Sequence, residues 1–392
     1  MRFIVRWLKR LFLLLLVFVA GGLALMYTQD PVLTTRIVTA PFGGSQGPLD
    51  PVPGGPPLEL RVAGEVNHSI SAAALDAAVA YGNETNSHAL LVYHNGELQL
   101  EHYYPGYDAS SISATQSMHK SVLALLVGIA IRDGYINSVD DPASRYVPEW
   151  ANDARASITL RQMLQQSSGI GFPSLGWNPL GGFFQLVLGD NIAPIVLSQP
   201  LEAEPGSRYD YNSVNPEVLG IIIERATGQH YADYLSSALW RHIGANDAEV
   251  VLDSLEHATP RVFCCLGATP RSWLAVGLLH LNGGRVGSRQ VVPADWMREV
   301  ITPAPHNPNY GFLTWLGTEY SEYRSYNRKT STRAYQSAPF AAPDVIYFDG
   351  FGGARVYIVP SRGMVIVHTG GLATNWDDAK LPNILIKGII ER

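Results

Sequence analysis

The chain has 392 residues, enough for one large domain or for two lobes that share a cleft. A formal net charge of −6, with no basic cluster beyond the N-terminus, argues against a nucleic-acid partner. The two cysteines, Cys264 and Cys265, are chain neighbours, which is a poor arrangement for a disulfide and too few ligands for zinc, so we expect two small buried side chains.

The N-terminus carries the pattern of a membrane-targeting segment. Basic residues at positions 2, 6, 9 and 10 precede an uncharged apolar run over 11–27, which reaches the lower length limit for spanning a bilayer. Positive charge before the run predicts a cytoplasmic N-terminus, with the rest of the chain in the periplasm or outside the cell. A cleaved signal peptide, cut among the small residues at 20–24, is the alternative and would give a secreted protein. The length of the run favours an uncleaved anchor over 1–29.

Residues 30–60 are rich in proline and glycine, which predicts a semi-extended linker without a core of its own. Within it, residues 43–47 match the G-x-S-x-G nucleophile elbow, with Ser45 at the position of the nucleophile. That motif needs a strand before it and a helix after it, and neither is evident here. We therefore interpret the match as a coincidence and expect the folded domain to occupy 61–392.

The pattern of apolar residues in the folded domain predicts an α+β fold. After a short helix at 72–79, the runs 89–93 and 98–102 flank Asn95-Gly96, a pair that favours a tight hairpin turn. Helices are expected at 271–281, 293–300 and 381–390, and further strands at 310–316, 345–348, 355–359 and 364–368. Strands near both ends of the chain predict one antiparallel sheet flanked by helices, with an inserted helical lobe at about 140–259.

An apolar helix headed by Ser117-Met118-His119-Lys120 is predicted to end at Gly134. Because nearly every face of this helix is apolar, we expect its body in the core and its first turn at a cleft. Ser117 and Lys120 lie three residues apart and therefore on one face of that turn. A hydroxyl and a desolvated amine at a helix N-terminus supply a nucleophile, a base and an anion-stabilising field. The alternative is a lysine that reaches solvent.

A second candidate segment precedes the next long helix, for which Asn215 is the expected N-cap and Pro216 the first helical residue. Tyr211 and Ser213 then lie on the loop just before the helix, where polar side chains can face a cleft. A tyrosine beside Lys120 is expected to ionise more easily and to pass a proton between nucleophile and leaving group. The alternative is a tyrosine that simply packs against its loop.

Two stretches near the C-terminus are candidates for further walls of the site. Glycines at 350, 352 and 353 lead into a predicted strand and let a ligand or another backbone approach closely, although an ordinary turn is the alternative. The segment 318–343 is polar and rich in tyrosine and arginine. It is either a solvated surface loop or a flap over the cleft that sets specificity.

Four motifs occur in an order typical of one protein family: Ser117-x-x-Lys120, Ser167-Ser168-Gly169, Tyr211-x-Ser213 and the Gly350–Gly353 run. Together they resemble the serine β-lactamase and penicillin-recognising hydrolase family. Within it, the chain is similar to class C-related esterases and 6-aminohexanoate-dimer hydrolases over about 83–390. The resemblance implies a β-lactamase/DD-peptidase-like fold. It also implies that Ser117 is the acylated nucleophile, Lys120 its base and Tyr211 the proton-transfer partner, with no metal and no cofactor.

The resemblance extends to the residues that would hold the substrate. Ser213 stands where class C enzymes usually have asparagine, a change that resembles the amide-hydrolase branch. The N–H groups of Ser117 and Phe351 are the implied oxyanion hole. Gly350 and Gly352 then lie on the substrate-binding edge beside Phe351.

The third motif departs from the family pattern. It usually supplies a cation for a substrate carboxylate, and Gly350-Phe351-Gly352 contains none. A β-lactam or a D-Ala-D-Ala carboxylate then lacks its charge partner, which favours neutral esters or small amides. His368 could supply a cation in its place, but it lies at the end of the following strand. There it is predicted to pair with about Arg355, so we expect it near the site but not as the third motif.

The sequence thus predicts a serine hydrolase that cleaves a small ester or amide through a covalent acyl-enzyme and is held at the membrane by its N-terminal segment. Two alternatives stay open: a β-lactamase or D-Ala peptidase, and a non-catalytic binding module of the same fold.

Overall fold

The computed structural model describes residues 2–42, 44–64, 68–173, 176–329 and 331–390. The chain divides into two compact units. The first consists of Met1–Pro48, Phe172–Gln199 and Leu252–Thr259, and the second of Leu49–Gly171, Pro200–Val251 and Pro260–Arg392.

Helices and strands are named here in chain order. The helices are α1 (Arg2–Gln29), α2 (Pro31–Thr39), α3 (Ala72–Glu84), α4 (His119–Arg132), α5 (Leu160–Leu164), α6 (Gly182–Leu188), α7 (Ile192–Leu197), α8 (Val214–Thr227), α9 (Tyr231–Ala238), α10 (Pro270–Leu281), α11 (Ala294–Val300) and α12 (Lys380–Lys387). The strands are β1 (Leu49–Val52), β2 (Arg61–Val62), β3 (Ser87–His94), β4 (Glu97–Tyr103), β5 (Ser113–Ala114), β6 (Ala248–Val251), β7 (Leu266–Ala268), β8 (Arg285–Val286), β9 (Arg289–Gln290), β10 (Trp315–Leu316), β11 (Tyr323–Ser325), β12 (Arg333–Tyr335), β13 (Ile346–Asp349), β14 (Arg355–Val359) and β15 (Met364–Gly370).

The first unit contains the apolar N-terminal helix. Within α1, Ile4–Gln29 contains an 18-residue window with a mean hydropathy of 2.4 and is long enough to cross a membrane, a property that a signal sequence shares. Helix α2 follows at once, because Asp30 caps its N-terminus by accepting a hydrogen bond from Leu33 N–H, and Pro31 fits its first turn. This helix contradicts the prediction of an extended linker directly after the anchor.

Arg36 of α2 ties the separate stretches of the first unit together. Its guanidinium donates to the carbonyls of Leu188 at 2.9 Å and Gly189 at 2.8 Å, at the end of α6. It also donates to the carbonyl of Asp253 at 2.7 Å. Burial lowers the pKa of Arg36, while nearby carboxylates such as Asp190 raise it. The residue therefore acts as a half-buried cross-link between backbone carbonyls of these stretches.

The second unit is built on a seven-stranded sheet with the order β10-β13-β14-β15-β3-β4-β2. Strand β15 pairs antiparallel with β3, which joins the C-terminal strands to the N-terminal hairpin β3–β4. In the hairpin turn Asn95 and Gly96 both have positive φ, 48° and 96°, as a tight type I′ turn requires. Only the edge pair β2–β4 is parallel among the described strands. The predicted antiparallel sheet from both ends of the chain is confirmed.

Helices cover both faces of this sheet. On one face, α3 and α12 pack over alternate residues of β3 and β15, such as Val92 and Ile366. On the other face, α10 packs against β14 and β15, and Gly277 lies so close to Val365 that a Cβ there would clash. The α+β layering predicted from the sequence is therefore confirmed.

A second, four-stranded sheet has the order β1-β6-β7-β5. Its edge strand β1 pairs antiparallel with β6 and tolerates Pro51, because an edge strand has one side free of ladder hydrogen bonds. Strand β1 lies within the segment expected as a linker, and β6 within the stretch expected as helical. The linker expectation is wrong at β1, since proline and glycine content conceals an edge strand, whereas β6 is a short strand near the end of the stretch expected to be mostly helical.

One predicted strand is shorter than expected. The run 310–316 forms a strand only at β10, and Leu313 adopts a left-handed φ of 47°, which breaks the extended backbone. Residues 44–48, which include most of the G-x-S-x-G match, lie between a 3-10 turn and β1 rather than between a strand and a helix. Gly43 of that match lies outside the described residues.

Candidate active site

The Ser117–Lys120 pair lies where a 3-10 turn, Gln116–Met118, enters α4. The helix body is buried, and Gly134 with φ of 80° follows its end, as predicted. Gln116 has a left-handed φ of 51°, an uncommon conformation that is often found at functional sites. Ser117 is half-buried, Lys120 is 1% exposed, and Lys120 Nζ donates to Ser117 Oγ at 2.7 Å.

Lys120 is held in an environment that favours its neutral form. Its Nζ also donates to the carbonyl of Phe263 at 2.5 Å. Burial lowers the pKa of Lys120 from 10.5 to about 7, against the opposing charges of Asp349 and Glu217. Near neutral pH, a substantial fraction of the amine is therefore free to accept a proton from the hydroxyl beside it.

Glu217 positions the carbonyl that Lys120 uses. This buried carboxylate of α8 accepts hydrogen bonds from the N–H groups of Val262 at 3.0 Å and Phe263 at 3.4 Å. The short stretch before β7 is thereby fixed with Phe263 O facing Lys120. Sequence reasoning missed Glu217, although a glutamate inside the apolar run 214–223 is a signal that could have found it.

Tyr211 lies on the loop before α8 and faces Lys120. The centre of its ring is 5.0 Å from Lys120 Nζ. Two hydrogen bonds fix its backbone: Tyr211 N–H donates to Tyr326 O at 3.2 Å, and Asn327 Nδ2 donates to Tyr211 O at 2.8 Å. The structure therefore brings Ser117, Lys120 and Tyr211 together.

The expected easier ionisation of Tyr211 is wrong. Burial raises the pKa of Tyr211 above its ordinary value, and the charge of Asp349 raises it further. Hydrogen bonding with Ser117 offsets this rise only in part. Tyr211 is therefore a neutral phenol at physiological pH, able to donate a proton rather than to act as a preformed base.

The backbone around Ser213 differs from the expected cap. Ser213 occupies the N-cap position of α8, and Asn215 lies inside the first turn. The Asn215 side chain instead accepts from Ser168 Oγ at 2.5 Å and donates to Gln166 Oε1 at 2.9 Å. Gln166 Oε1 also accepts from Asn212 N–H at 2.8 Å. The Ser167-Ser168-Gly169 motif thus supports the loop that carries Tyr211.

The Gly350–Gly353 run forms the turn between β13 and β14 rather than part of a strand. Gly350 N–H donates to Ala354 O at 2.9 Å. A Cβ at Gly350 would clash with the carbonyl of Thr115, two residues before Ser117, so only glycine permits this approach. Phe351, next in the turn, is 62% exposed. The turn and the nucleophile candidate are therefore neighbours.

Two arginines lie beside this turn, although the turn itself carries no cation. Arg324, from β11, donates to Asp349 at 2.6 Å and to Asp378 at 2.9 Å. Arg355 pairs with the same two carboxylates at 2.7 and 2.8 Å, and it donates to Gly350 O at 2.6 Å. Burial alone would raise the pKa of Asp378, but Arg355 and Arg324 hold it below its usual range. Each buried positive charge is thus neutralised by carboxylates of the protein itself.

The segment 318–343 supplies part of the wall around Tyr211. Its hairpin β11–β12 brings in the buried guanidinium of Arg324, which stacks 3.8 Å above the ring of Trp315. Tyr326 hydroxyl donates to Asp349 at 2.7 Å, and its ring lies 5.5 Å from that of Tyr211. The interpretation as a solvated surface loop is wrong for these residues, because they pack against the candidate site.

His368 pairs with Arg355 in the register of β14 and β15, as predicted. Its Nδ1–H faces Gly353 O at 2.8 Å, which leaves Nε2 to accept from the hydroxyl of Ser87. The ring stacks on Trp376 at 4.4 Å, and burial lowers the pKa of His368 to about 4. These contacts give it a structural environment within the sheet.

Across the described ranges, no group of three His, Cys, Asp or Glu side chains could hold a metal ion.

The two neighbouring cysteines correct a further expectation. The structure joins Cys264 and Cys265 in a vicinal disulfide, whereas the sequence predicted two separate thiols. Both residues are buried as expected. Cys265 has a left-handed φ of 71°, and Cys264 O accepts a hydrogen bond from His119 Nδ1. The pair adjoins Phe263, the residue whose carbonyl contacts Lys120.

The sheet, its covering helices and the Ser117–Lys120 pair define the class of protein to which this chain belongs. The family model described as Beta-lactamase matches residues 75–379, and the chain is therefore a member of the beta-lactamase family. The resemblance drawn from the four motifs is confirmed.

The chain is similar to individual relatives and solved structures. It is 28% identical over 237 residues to a 6-aminohexanoate-dimer hydrolase from Paenarthrobacter ureafaciens, a match that covers 56% of this chain and 58% of that relative's length. A solved structure from Bacillus anthracis, provisionally named a 6-aminohexanoate-dimer hydrolase, has a TM-score of 0.67 at 21% identity and covers 84% of this chain and 87% of its own. A family VIII carboxylesterase has a TM-score of 0.62 at 17% identity, with coverages of 85% and 99%. These structures establish the fold.

Proposed function

We propose that the protein is a serine hydrolase that cleaves a small ester or amide through a covalent acyl-enzyme. One observation carries the proposal: a half-buried hydroxyl lies 2.7 Å from a buried amine whose pKa is lowered to about 7. Burying a lysine costs free energy, so a buried lysine usually has a role, and Lys120 contacts the Ser117 hydroxyl that it could activate.

In the first step, Ser117 Oγ attacks the substrate carbonyl carbon, and its proton moves to the neutral amine of Lys120. The carbonyl of Phe263 accepts a hydrogen bond from that amine and stabilises the ammonium that forms. The negative charge of Glu217, which accepts a hydrogen bond from Phe263 N–H, further stabilises this ammonium. The products of the step are a tetrahedral intermediate and a protonated Lys120.

In the second step, the intermediate collapses and the leaving group departs with a proton. The neutral phenol of Tyr211 is the proposed donor, and Lys120 returns a proton to it. The N–H groups of Ser117 and Phe351 are the proposed oxyanion hole, with Gly350, Gly352 and Ser213 along the substrate edge. Water then attacks the acyl-enzyme by the reverse path and releases the acid.

The electrostatics of the site favour uncharged esters and amides near the reacting carbonyl. The turn at Gly350–Gly353 has no cationic side chain, and Arg324 and Arg355 face Asp349 and Asp378. A β-lactam carboxylate would therefore find no free charge partner at this position. The relatives named as a 6-aminohexanoate-dimer hydrolase and a carboxylesterase carry out chemistry of the proposed kind.

The N-terminal segment is proposed to keep the enzyme at a membrane. Residues 1–29 would serve as anchor or signal, with the hydrolase domain that carries Ser117 on the non-cytoplasmic side. The apolar run over 11–27 and the basic residues before it support this arrangement. Alkaline extraction of membranes tests it, because an uncleaved anchor stays in the pellet and a cleaved protein is released.

A substrate panel tests the proposed reaction. Full-length protein in detergent is assayed with p-nitrophenyl esters of short acids, short anilides and nitrocefin, alongside Ser117→Ala and Ser121→Ala. Ser121 is a buried serine on the same helix that donates to Leu313 O, so it is the matched control. We expect ester turnover that falls at least 10³-fold in Ser117→Ala and stays within about threefold in Ser121→Ala. Nitrocefin as the best substrate would instead make the protein a β-lactamase, and no turnover of any substrate would support a binding module.

A further inference from the structure

The vicinal disulfide lies in the backbone stretch that supplies a hydrogen-bond acceptor to Lys120, and the mechanism above does not use it. Lys120 Nζ donates to Phe263 O at 2.5 Å. The residue before it, His119, contacts the next carbonyl, Cys264 O, through its Nδ1. Two consecutive residues at the head of α4 are thus matched to two consecutive carbonyls, so a small movement of this stretch displaces the acceptor that the base uses.

The backbone at Cys265 needs a constraint. Its φ of 71° is left-handed, a conformation that residues other than glycine rarely adopt and keep only where the surrounding structure holds them. The stretch is fixed before the cysteines, because Glu217 accepts from the N–H groups of Val262 and Phe263. It is fixed after them where Leu266 begins β7. Between these points, the disulfide closes a ring that contains the peptide bond joining the two cysteines.

We propose that the Cys264–Cys265 disulfide positions the Phe263 carbonyl against Lys120, so that full hydrolase activity requires the oxidised pair. Without the ring, the backbone at Cys265 is free to leave the left-handed region, which rotates the preceding peptide and moves Phe263 O away from the amine. Both cysteines act through Phe263 and are therefore positioning residues. The inference rests on the proposed function, because it needs Lys120 as the base.

The bond forms and breaks by thiol–disulfide exchange. Two thiols give up two electrons and two protons to a disulfide oxidant, which leaves as two thiols. A dithiol reductant reverses the reaction and leaves as a cyclic disulfide. Such bonds persist in the oxidising environment outside the cytoplasm, where the N-terminal segment is proposed to place the domain. The enzyme would then gain its full activity after export.

A reductant is a specific probe of this pair, because Cys264 and Cys265 are the only cysteines in the sequence. Full-length protein in detergent is assayed with a neutral p-nitrophenyl ester before and after dithiothreitol, while alkylation and mass spectrometry report the state of the pair. We expect reduction to lower kcat roughly 10-fold to 100-fold with KM within about twofold, and reoxidation to restore it. Unchanged kcat in reduced protein, or two free thiols in fully active protein, would overturn the assignment.

Two double variants distinguish backbone positioning from a general loss of structure. Cys264→Ala with Cys265→Gly lacks the disulfide, but glycine adopts a positive φ without a Cβ penalty. This variant should therefore retain activity within about threefold of the oxidised protein and should not respond to dithiothreitol. Cys264→Ala with Cys265→Ala lacks both the ring and the glycine and should match the reduced protein. Equal activities of the two variants would refute the proposal.

The titration of Lys120 separates this inference from the proposed function. Phe263 O stabilises the ammonium form, so its withdrawal should lower the pKa of Lys120 from the value of about 7 in the oxidised protein. Carbon-13 NMR of protein labelled at lysine Cε, with the Lys120 signal assigned by Lys120→Met, measures this shift without substrate. The same midpoint in oxidised and reduced protein would refute the inference even if esters were hydrolysed. A lowered midpoint without turnover of any ester would refute the proposed function alone.

Discussion

Activity is expected to rise with pH as Lys120 loses its proton. Burial lowers the pKa of this amine from 10.5 to about 7. At pH 7 roughly half of the Lys120 side chains are then neutral, against about 0.03% for a lysine of ordinary pKa, a gain of ~10³ in available base. Because the neutral amine is the base, the enzyme is active above this pKa and loses activity below it.

The profile is measured as kcat/KM for a neutral p-nitrophenyl ester between pH 5.5 and 9, corrected for spontaneous hydrolysis. We expect a tenfold rise per pH unit below about 6.5 and a plateau above about 8. Glu217→Gln keeps the oxygen acceptor for Phe263 N–H but removes a charge that raises the Lys120 pKa, so its midpoint should move to lower pH. Ser121→Ala should leave the midpoint unchanged. A flat profile, or a midpoint near pH 10, would refute the reasoning.

Two stability predictions follow from buried features of the fold. Arg355→Met leaves two buried carboxylates with Arg324 as their remaining cation and should cost ~3–5 kcal/mol, whereas loss of the exposed Arg225–Glu149 pair in Arg225→Gln should cost ~0–1 kcal/mol. Comparable midpoints in urea melts of the two variants would contradict this. Gly128→Ala places a Cβ against the Trp296 ring and should cost ~1–3 kcal/mol, while Gly64→Ala meets open space and should be nearly neutral. Thermal melts that rank Gly64→Ala below Gly128→Ala would show that α4 and α11 are not packed as described.

Local signals in the sequence were sufficient for much of the fold. The Asn95-Gly96 turn, the end of α4 at Gly134 and the register of His368 with Arg355 each depend on residues close in the chain. The sequence did not predict elements that lie in stretches rich in proline and glycine. Helix α2 begins at a proline and β1 contains one, so the high proline and glycine content suggested an extended linker.

Only those parts of the site that lie in short sequence motifs could be predicted from the sequence. Ser117 and Lys120 share one helical turn, so spacing alone placed them together. Glu217 and Arg324 act through partners more than 20 residues away in the chain, and no local pattern identifies such pairs. The predicted direction of the Tyr211 pKa shift was wrong for the same reason, because burial and the charge of Asp349 raise that pKa only in the folded protein.

Labelling by a fluorophosphonate probe tests the central claim most directly. The full-length protein is treated with the probe at pH 8, digested, and mapped by mass spectrometry, with Ser117→Ala and Ser87→Ala as variants. Ser87 contacts His368 and is one of the serines with a histidine within hydrogen-bond reach, as are Ser69 beside His94 and Ser113 beside His88. We predict a single phosphonylated residue, Ser117, with labelling lost in Ser117→Ala and kept in Ser87→Ala. Labelling at Ser87, or none at Ser117 in folded protein, would contradict the account.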